Sequence, residues 1–183
     1  MFHSVPLPKD DQLPKPIREA LTALPPLHIF RLLATMPAVF QPYIDFAKAL
    51  YNSSFDRKLR QIAMLRAAYQ VSAPHLIAQY RHICKSLGVT NIELDAIQSK
   101  QPVTSLDNEV NFLCKVADEL AHQSTLSNDT FQEFYTRYPI EAGTEFLMII
   151  CAVSMMGRLM NATRLELEKS SPLSGEFTFF PEP

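Results

Sequence analysis

Between Pro74 and Leu87 the chain places two imidazoles, a phenol and a thiol on one helical stretch: His75, Tyr80, His82 and Cys84. Such groups can bind a metal, move a proton or, as a thiolate, attack an electrophile. Spacing restricts each possibility. Seven residues at ~100° each bring His82 back beneath His75, but about 10 Å further along the axis. Both cannot ligate one ion through bonds of about 2 Å, so a metal would need ligands from another chain. His28 and His122 show no ligand spacing, and neither a metal nor a cofactor is expected. His75, Gln79 and His82 also oppose the apolar stripe of Leu76, Ile77, Tyr80, Ile83, Cys84 and Leu87. That predicts a solvated or subunit-contacting face.

Tyr80 shares a face with Leu76 and Cys84, four residues from each. Two readings stay open. In one, these residues line a pocket where Tyr80 donates to a ligand, Gln61 orients it and Cys84 is a lone thiol. In the other they are core, with Gln61 satisfying the Tyr80 hydroxyl and Cys84 acting as a small hydrophobe. A peroxidatic role for Cys84 would need a cation to lower its pKa, and the sequence names none securely. Arg66 interrupts an apolar run from Ile62 to Ala68, so its guanidinium must find an anionic ligand or an internal partner, Glu145 or Glu141 for example. Arg158, after Gly157, invites the same two readings.

The elements that must position these groups are helices. Apolar residues recur at helical spacing, there is no regular alternation, and only 4 of 183 residues are glycine. Residues 1–16 read as a proline-rich arm and 170–183 as a tail of similar character, with one helical domain, 17–169, between them. Helices are predicted over Ile17–Leu24, Leu27–Met36 (stopped by Pro37), Pro42–Tyr51 (opened by Pro42) and Phe55–Tyr69 (capped by Ser53 or Ser54). Pro74–Leu87 follows, with Ser72 before it and Gly88 as its C-cap. Further helices open near Asn91 and span Asn108–His122, Thr130–Tyr138 (capped by Ser127 or Asn128) and Glu141–Lys169. The last is apolar nearly all round from Phe146 to Met156, which predicts the central buried helix.

Composition narrows the partners. With 47% hydrophobic residues the chain is long enough for one substantial core. A formal charge of −2 and a pI near 6.2 leave no basic footprint for nucleic acid. Cys84, Cys114 and Cys151 are odd in number and far apart, forming neither a disulfide framework nor a CxxC pair, which favours a reducing compartment. The start MFHSVPLPKDDQLPKP lacks the pattern of a secretory signal, and the apolar run Phe146–Val153 is far short of the ~20 residues of a membrane span. A cytoplasmic, non-membrane protein is expected.

The stretch Arg60–Val89, RQIAMLRAAYQVSAPHLIAQYRHICKSLGV, resembles the helix pair of the carboxymuconolactone decarboxylase and alkylhydroperoxidase D-like superfamily. Arg60-Gln61-Ile62 stands where that superfamily has an Arg-Glu-Leu start, Ala63–Ala68 supplies the apolar run, and Gly88-Val89 the closing turn. In pattern the likeness runs from about Leu24 to Glu168. It implies an all-α, oligomeric alkylhydroperoxidase D-like domain. The superfamily's glutamate falls on Gln61, its first Cys on Ala73, its second Cys (a Glu in the decarboxylase branch) on Leu76 and its His on Tyr80. The thiol pair and the Glu/His relay are therefore absent, since Gln61 takes no proton and Tyr80, with a pKa of about 10, is a poor base. Three functions follow. The first is a diverged protein holding a small molecule in an apolar pocket. The second is a peroxidase or decarboxylase using Cys84, Tyr80, His75 or His82. The third is an assembly protein, its homo-oligomer a dimer, trimer or hexamer.

Overall fold

Prolines and caps set the helix boundaries of the computed structural model, which describes residues 3–168. Nine α-helices and no strand occur among them. The chain divides into two compact units: residues up to Asn52 with those from Leu159 onward, and Ser53–Arg158.

The first unit holds α1 (Lys15–Thr22), α2 (His28–Ala34) and α3 (Pro37–Tyr51), preceded by a 3-10 turn at Asp10–Gln12. Two proline expectations are corrected. Pro37 does not merely stop a helix; it opens α3, and Pro42 sits inside that helix. Proline at the first turn forfeits no hydrogen bond, so Pro37 is the better start, and at Pro42 the helix continues with one backbone donor fewer. Likewise Pro16 lies in the first turn of α1, so the arm gives way to helix at Lys15 instead of after Pro16. The arm is tied down within its own unit. Arg31 pairs with Asp10 at 2.7 Å and donates to the Pro8 carbonyl at 3.1 Å, and the Val5 amide donates to the Thr163 carbonyl.

The second unit holds α4 (Arg57–Gln70), α5 (Pro74–Ser86), α6 (Asn91–Gln98), α7 (Asn108–Gln123), α8 (Asn128–Arg137) and α9 (Ile140–Ala162) through Arg158. Asp56, not Ser53 or Ser54, caps α4 by accepting from the Leu59 amide. Ser72 does not cap α5; it takes a left-handed φ of 51° and closes α4, with the Ala73 amide reaching the Ala68 carbonyl and Ser72 that of Tyr69. The same closure ends α5, where Gly88 has φ 77° and the Val89 amide reaches the Cys84 carbonyl. Thr90 and Glu93 form a capping box on α6, and Ser127 caps α8.

The central helix is α4. Every residue from Arg60 to Ala68 is buried, and α5, α6 and α7 pack against it. Ala63, Ala67 and Ala68 let neighbours approach from all sides. The expectation for α9 fails for a reason visible along its length: Phe146, Ile149, Ile150 and Val153 face inward, while Met148, Cys151 and Met155 are exposed. Although its longest apolar run is short, α9 is long and apolar enough as a whole to cross a bilayer by length and composition alone. It ends at Ala162, short of Lys169. The tail 170–183 lies outside the described residues. Near the start of α9, Phe55, Phe134, Tyr138 and Phe146 stack with centroids 4.6 Å (Phe55–Phe146) to 5.8 Å (Phe134–Phe146) apart.

Candidate functional site

Gln61, Ala73, Leu76 and Tyr80 are all buried, on α4, at the N-cap of α5 and on α5. The α9 helix presses on this region at Gly157. A Cβ there would lie 2.8 Å from Val71 Cγ2, 2.9 Å from Ala73 Cβ and 3.5 Å from Leu76 Cδ1. The space beside Ala73 and Leu76 is thus filled by hydrocarbon, and only glycine lets α9 come so near.

Cys84 is buried and its thiol donates to the Gln61 carbonyl across 3.6 Å. Burial pushes the thiol up to about 12; Arg81 and Lys58 pull the other way but lose. The cationic neighbour that the sequence did not supply therefore exists and is too weak. Arg81 is also occupied, donating to Tyr69 at 2.7 Å and Gln98 at 3.1 Å. Cys114 is likewise buried and pushed up to about 12.

Arg66 is 1% exposed and its five N–H groups are all used. Two donate to Asp118 at 2.6 and 2.7 Å, two to the carbonyls of Ile97 and Ser99, and one to that of Gln101. Neither expected partner, Glu145 nor Glu141, is involved, and Glu145 instead accepts from Ser53. Arg66 pins the segment after α6 to α4 and α7, which leaves it no donor for a ligand. Arg158 reaches only the Ala121 carbonyl, at 3.5 Å and in an exposed position.

The predicted solvated face of α5 is corrected. His75 is 3% and Gln79 4% exposed, while His82 is half-buried. An amphipathic reading assumes one covered side, but burial on α5 runs about half-way round, from His75 to Cys84. Both ring nitrogens of His75, both amide atoms of Gln79, the amide nitrogen of Gln61 and the Ser154 hydroxyl are buried without a hydrogen-bond partner. A buried polar group left unpaired costs about 1–3 kcal/mol, so a natural chain seldom carries several without a use or a guest.

A cleft of about 350 Å³ that sequence reasoning missed lies along α7, lined in part by Pro102, Phe112, Lys115, Asp118, Glu119 and His122. Its carboxylates are committed. Asp118 holds Arg66, while Glu119 accepts from the Ser127 amide and the Thr130 hydroxyl at the start of α8. Burial raises Glu119, but these hydrogen bonds and Lys115 outweigh it and hold the carboxyl below its ordinary value. No group of three or more His, Cys, Asp or Glu able to hold a metal occurs among the described residues.

No protein-family model and no curated protein matches the sequence. Solved structures do match. A crystal structure of an alkylhydroperoxidase AhpD core, an uncharacterized peroxidase-related protein from Ralstonia eutropha, superposes with a TM-score of 0.77, covering 91% of this chain and 92% of that one at 12% identity. The fold is AhpD-like. A second match, a protein of unknown function from Agrobacterium tumefaciens suggested to be an AhpD antioxidant defence protein, has a TM-score of 0.63 at 14% identity, covering 74% of this chain and 94% of that one. These likenesses carry the fold, and a shared fold does not carry an activity. On this AhpD-like scaffold, the helix pair α4–α5 stands as the sequence resemblance implied.

Proposed function

We propose that this protein is a diverged AhpD-like protein that holds a small molecule against α4 and α5 and performs neither thiol peroxidase nor Glu/His relay chemistry. The observation that carries the reading is the group of buried, unpartnered polar atoms on His75, Gln79, Gln61 and Ser154. Buried polar groups call for partners, and a polar small molecule supplies them where the protein does not. The positions at which the resemblance would place chemistry hold Gln61, Ala73, Leu76 and Tyr80. None of these is a carboxylic acid, a thiol or an imidazole. The relocated-residue alternative asks Cys84 to be a thiolate, and a thiol at about 12 opposes that.

Ligand-observed NMR with millimolar toluene, benzamide and benzoate tests the reading. Saturation transfer to at least one probe is expected, and transfer to none contradicts it.

A second proposal rests on α9. Met148, Cys151 and Met155 recur at helical spacing and are exposed, forming an apolar stripe suited to a homo-oligomer. Light scattering on the wild type and on Met148→Lys/Met155→Lys should show an oligomer that the variant dissociates; a monomeric wild type removes this proposal. With free cysteines and little net charge, we place the protein in the cytoplasm, away from nucleic acid.

A further inference from the structure

We infer that the cleft along α7 binds a small organic carboxylate, with its apolar body on Phe112 and its head accepting from Lys115. The inference is separate from the reading above, which concerns α4 and α5. At about 350 Å³ the cleft has the size of a small-molecule site. Its walls are fixed before anything binds. Arg66, buried in α4, donates to the carbonyls of Ile97, Ser99 and Gln101, the last beside the lining residues Pro102 and Val103. Further along, Asn111 of α7 accepts from the Leu106 amide at 3.2 Å and donates to the Leu106 carbonyl at 2.8 Å. The connection between α6 and α7 is thus fastened at both ends. Phe112 is held as well, with the Arg137 guanidinium 4.2 Å from the centre of its ring. A wall ordered in advance loses little entropy when a ligand arrives.

The lining chemistry selects the ligand. Pro102, Val103 and Phe112 supply an apolar surface. The carboxylates and the amide of the cleft are spent: both oxygens of Asp118 accept from Arg66, both oxygens of Glu119 from Ser127 or Thr130, and the Asn111 amide is taken by Leu106. A ligand ammonium would find no unoccupied carboxylate oxygen. Lys115 is different. Its ammonium stands 3.9 Å from Glu119 Oε1, too far for a hydrogen bond, and its side chain is 52% exposed. Its donors are therefore open to a ligand, and an ionised carboxylate is the acceptor that an ammonium bonds strongly. His122 Nδ1 donates to the Asp118 carbonyl at 2.9 Å, which keeps the ring against its own helix. Lying seven residues beyond Lys115, His122 sits about 10 Å further along α7 on the same face. That spacing suits a molecule of one aromatic ring and a short chain. Glu119 opposes a bound anion, so the expected preference for an acid is modest.

The probes are phenylacetate, phenylethanol and phenylethylamine, titrated at millimolar concentration into the isotope-labelled full chain and followed by backbone amide shifts. Phenylacetate should move amides of α7 and of the connection 99–106 saturably and bind about fivefold tighter than phenylethanol, with phenylethylamine weakest. Lys115→Met should weaken phenylacetate about fivefold and leave phenylethanol unchanged, while Lys115→Arg keeps the wild-type affinity. Because Lys115 is exposed, both variants should melt at the wild-type temperature. If phenylethanol or phenylethylamine binds as tightly as phenylacetate, or if Lys115→Met binds phenylacetate as the wild type does, the ligand class is overturned. Saturable shifts confined to other elements, or no saturable shift with any of the three probes, overturn the site.

Discussion

Two buried groups show what a single residue commits to. Arg66 spends all five donors on Asp118 and three carbonyls, so taking away either charge strands the other. Arg66→Met and Asp118→Asn should each lower unfolding free energy by about 3 kcal/mol in urea titrations. Pairing Arg66→Met with Asp118→Leu should not restore it, because the carbonyls of Ile97, Ser99 and Gln101 stay unpaired. That Arg66 is buried was legible, since it interrupts an apolar run. Its partner was not, because Asp118 lies 52 positions away on a helix whose packing no local pattern reveals. Cys84 makes the second case. Burial pushes its pKa up to about 12, so Cys84 is held as the thiol at pH 7. Iodoacetamide at that pH should leave Cys84 and Cys114 unlabelled in the folded chain and label both in urea, as peptide mapping would show, since both thiols are buried. His75 and Gln79 were misread outward because periodicity counts a polar residue as a solvent-facing one. The apolar stripe beside them was read correctly.

At the scale of elements, the α4–α5 pair owes its shape to two left-handed residues of different quality. Gly88 occupies its φ of 77° without strain, and a Cβ there would meet no atom within 4 Å. Gly88→Ala should therefore cost about 1 kcal/mol through backbone conformation alone. Ser72 carries the same conformation with a side chain, so Ser72→Gly should stabilise, and opposite shifts in melting temperature for the two variants would verify the closure. The Gly88 cap was evident in the sequence, whereas the left-handed turn at Ser72 was not, because a serine does not announce that conformation as a glycine does. Most helices could be placed from apolar spacing and capping chemistry. The exchange between α4 and α9 could not. A helix with three alanines and three arginines looks less central than an unbroken apolar run, yet small side chains are what permit packing on every side. Burial was decided by neighbours, and α9 kept Met148, Cys151 and Met155 outside.

For the whole molecule, acid should act through carboxylates that the folded chain holds below their ordinary value. Glu93 is lowered by the Thr90 amide and hydroxyl, and Glu119, despite its burial, by Ser127, Thr130 and Lys115. A depressed carboxyl contributes stability that is present above its unfolded pKa and lost as pH falls through the folded one. Melting temperature should thus be flat from neutral pH down to about pH 4.5 and fall below it, and Glu119→Gln should fall less steeply. The all-α AhpD-like fold was legible from the frame of Arg60–Val89, and the absence of charged or nucleophilic groups at Gln61, Ala73, Leu76 and Tyr80 was legible with it. That His75 and Gln79 are buried needed the structure. The most direct test of the central claim is consumption of an organic hydroperoxide with dithiothreitol as reductant, for the wild type and Cys84→Ser. Both should match dithiothreitol alone; wild-type turnover that disappears in Cys84→Ser would contradict the account and make Cys84 a nucleophile.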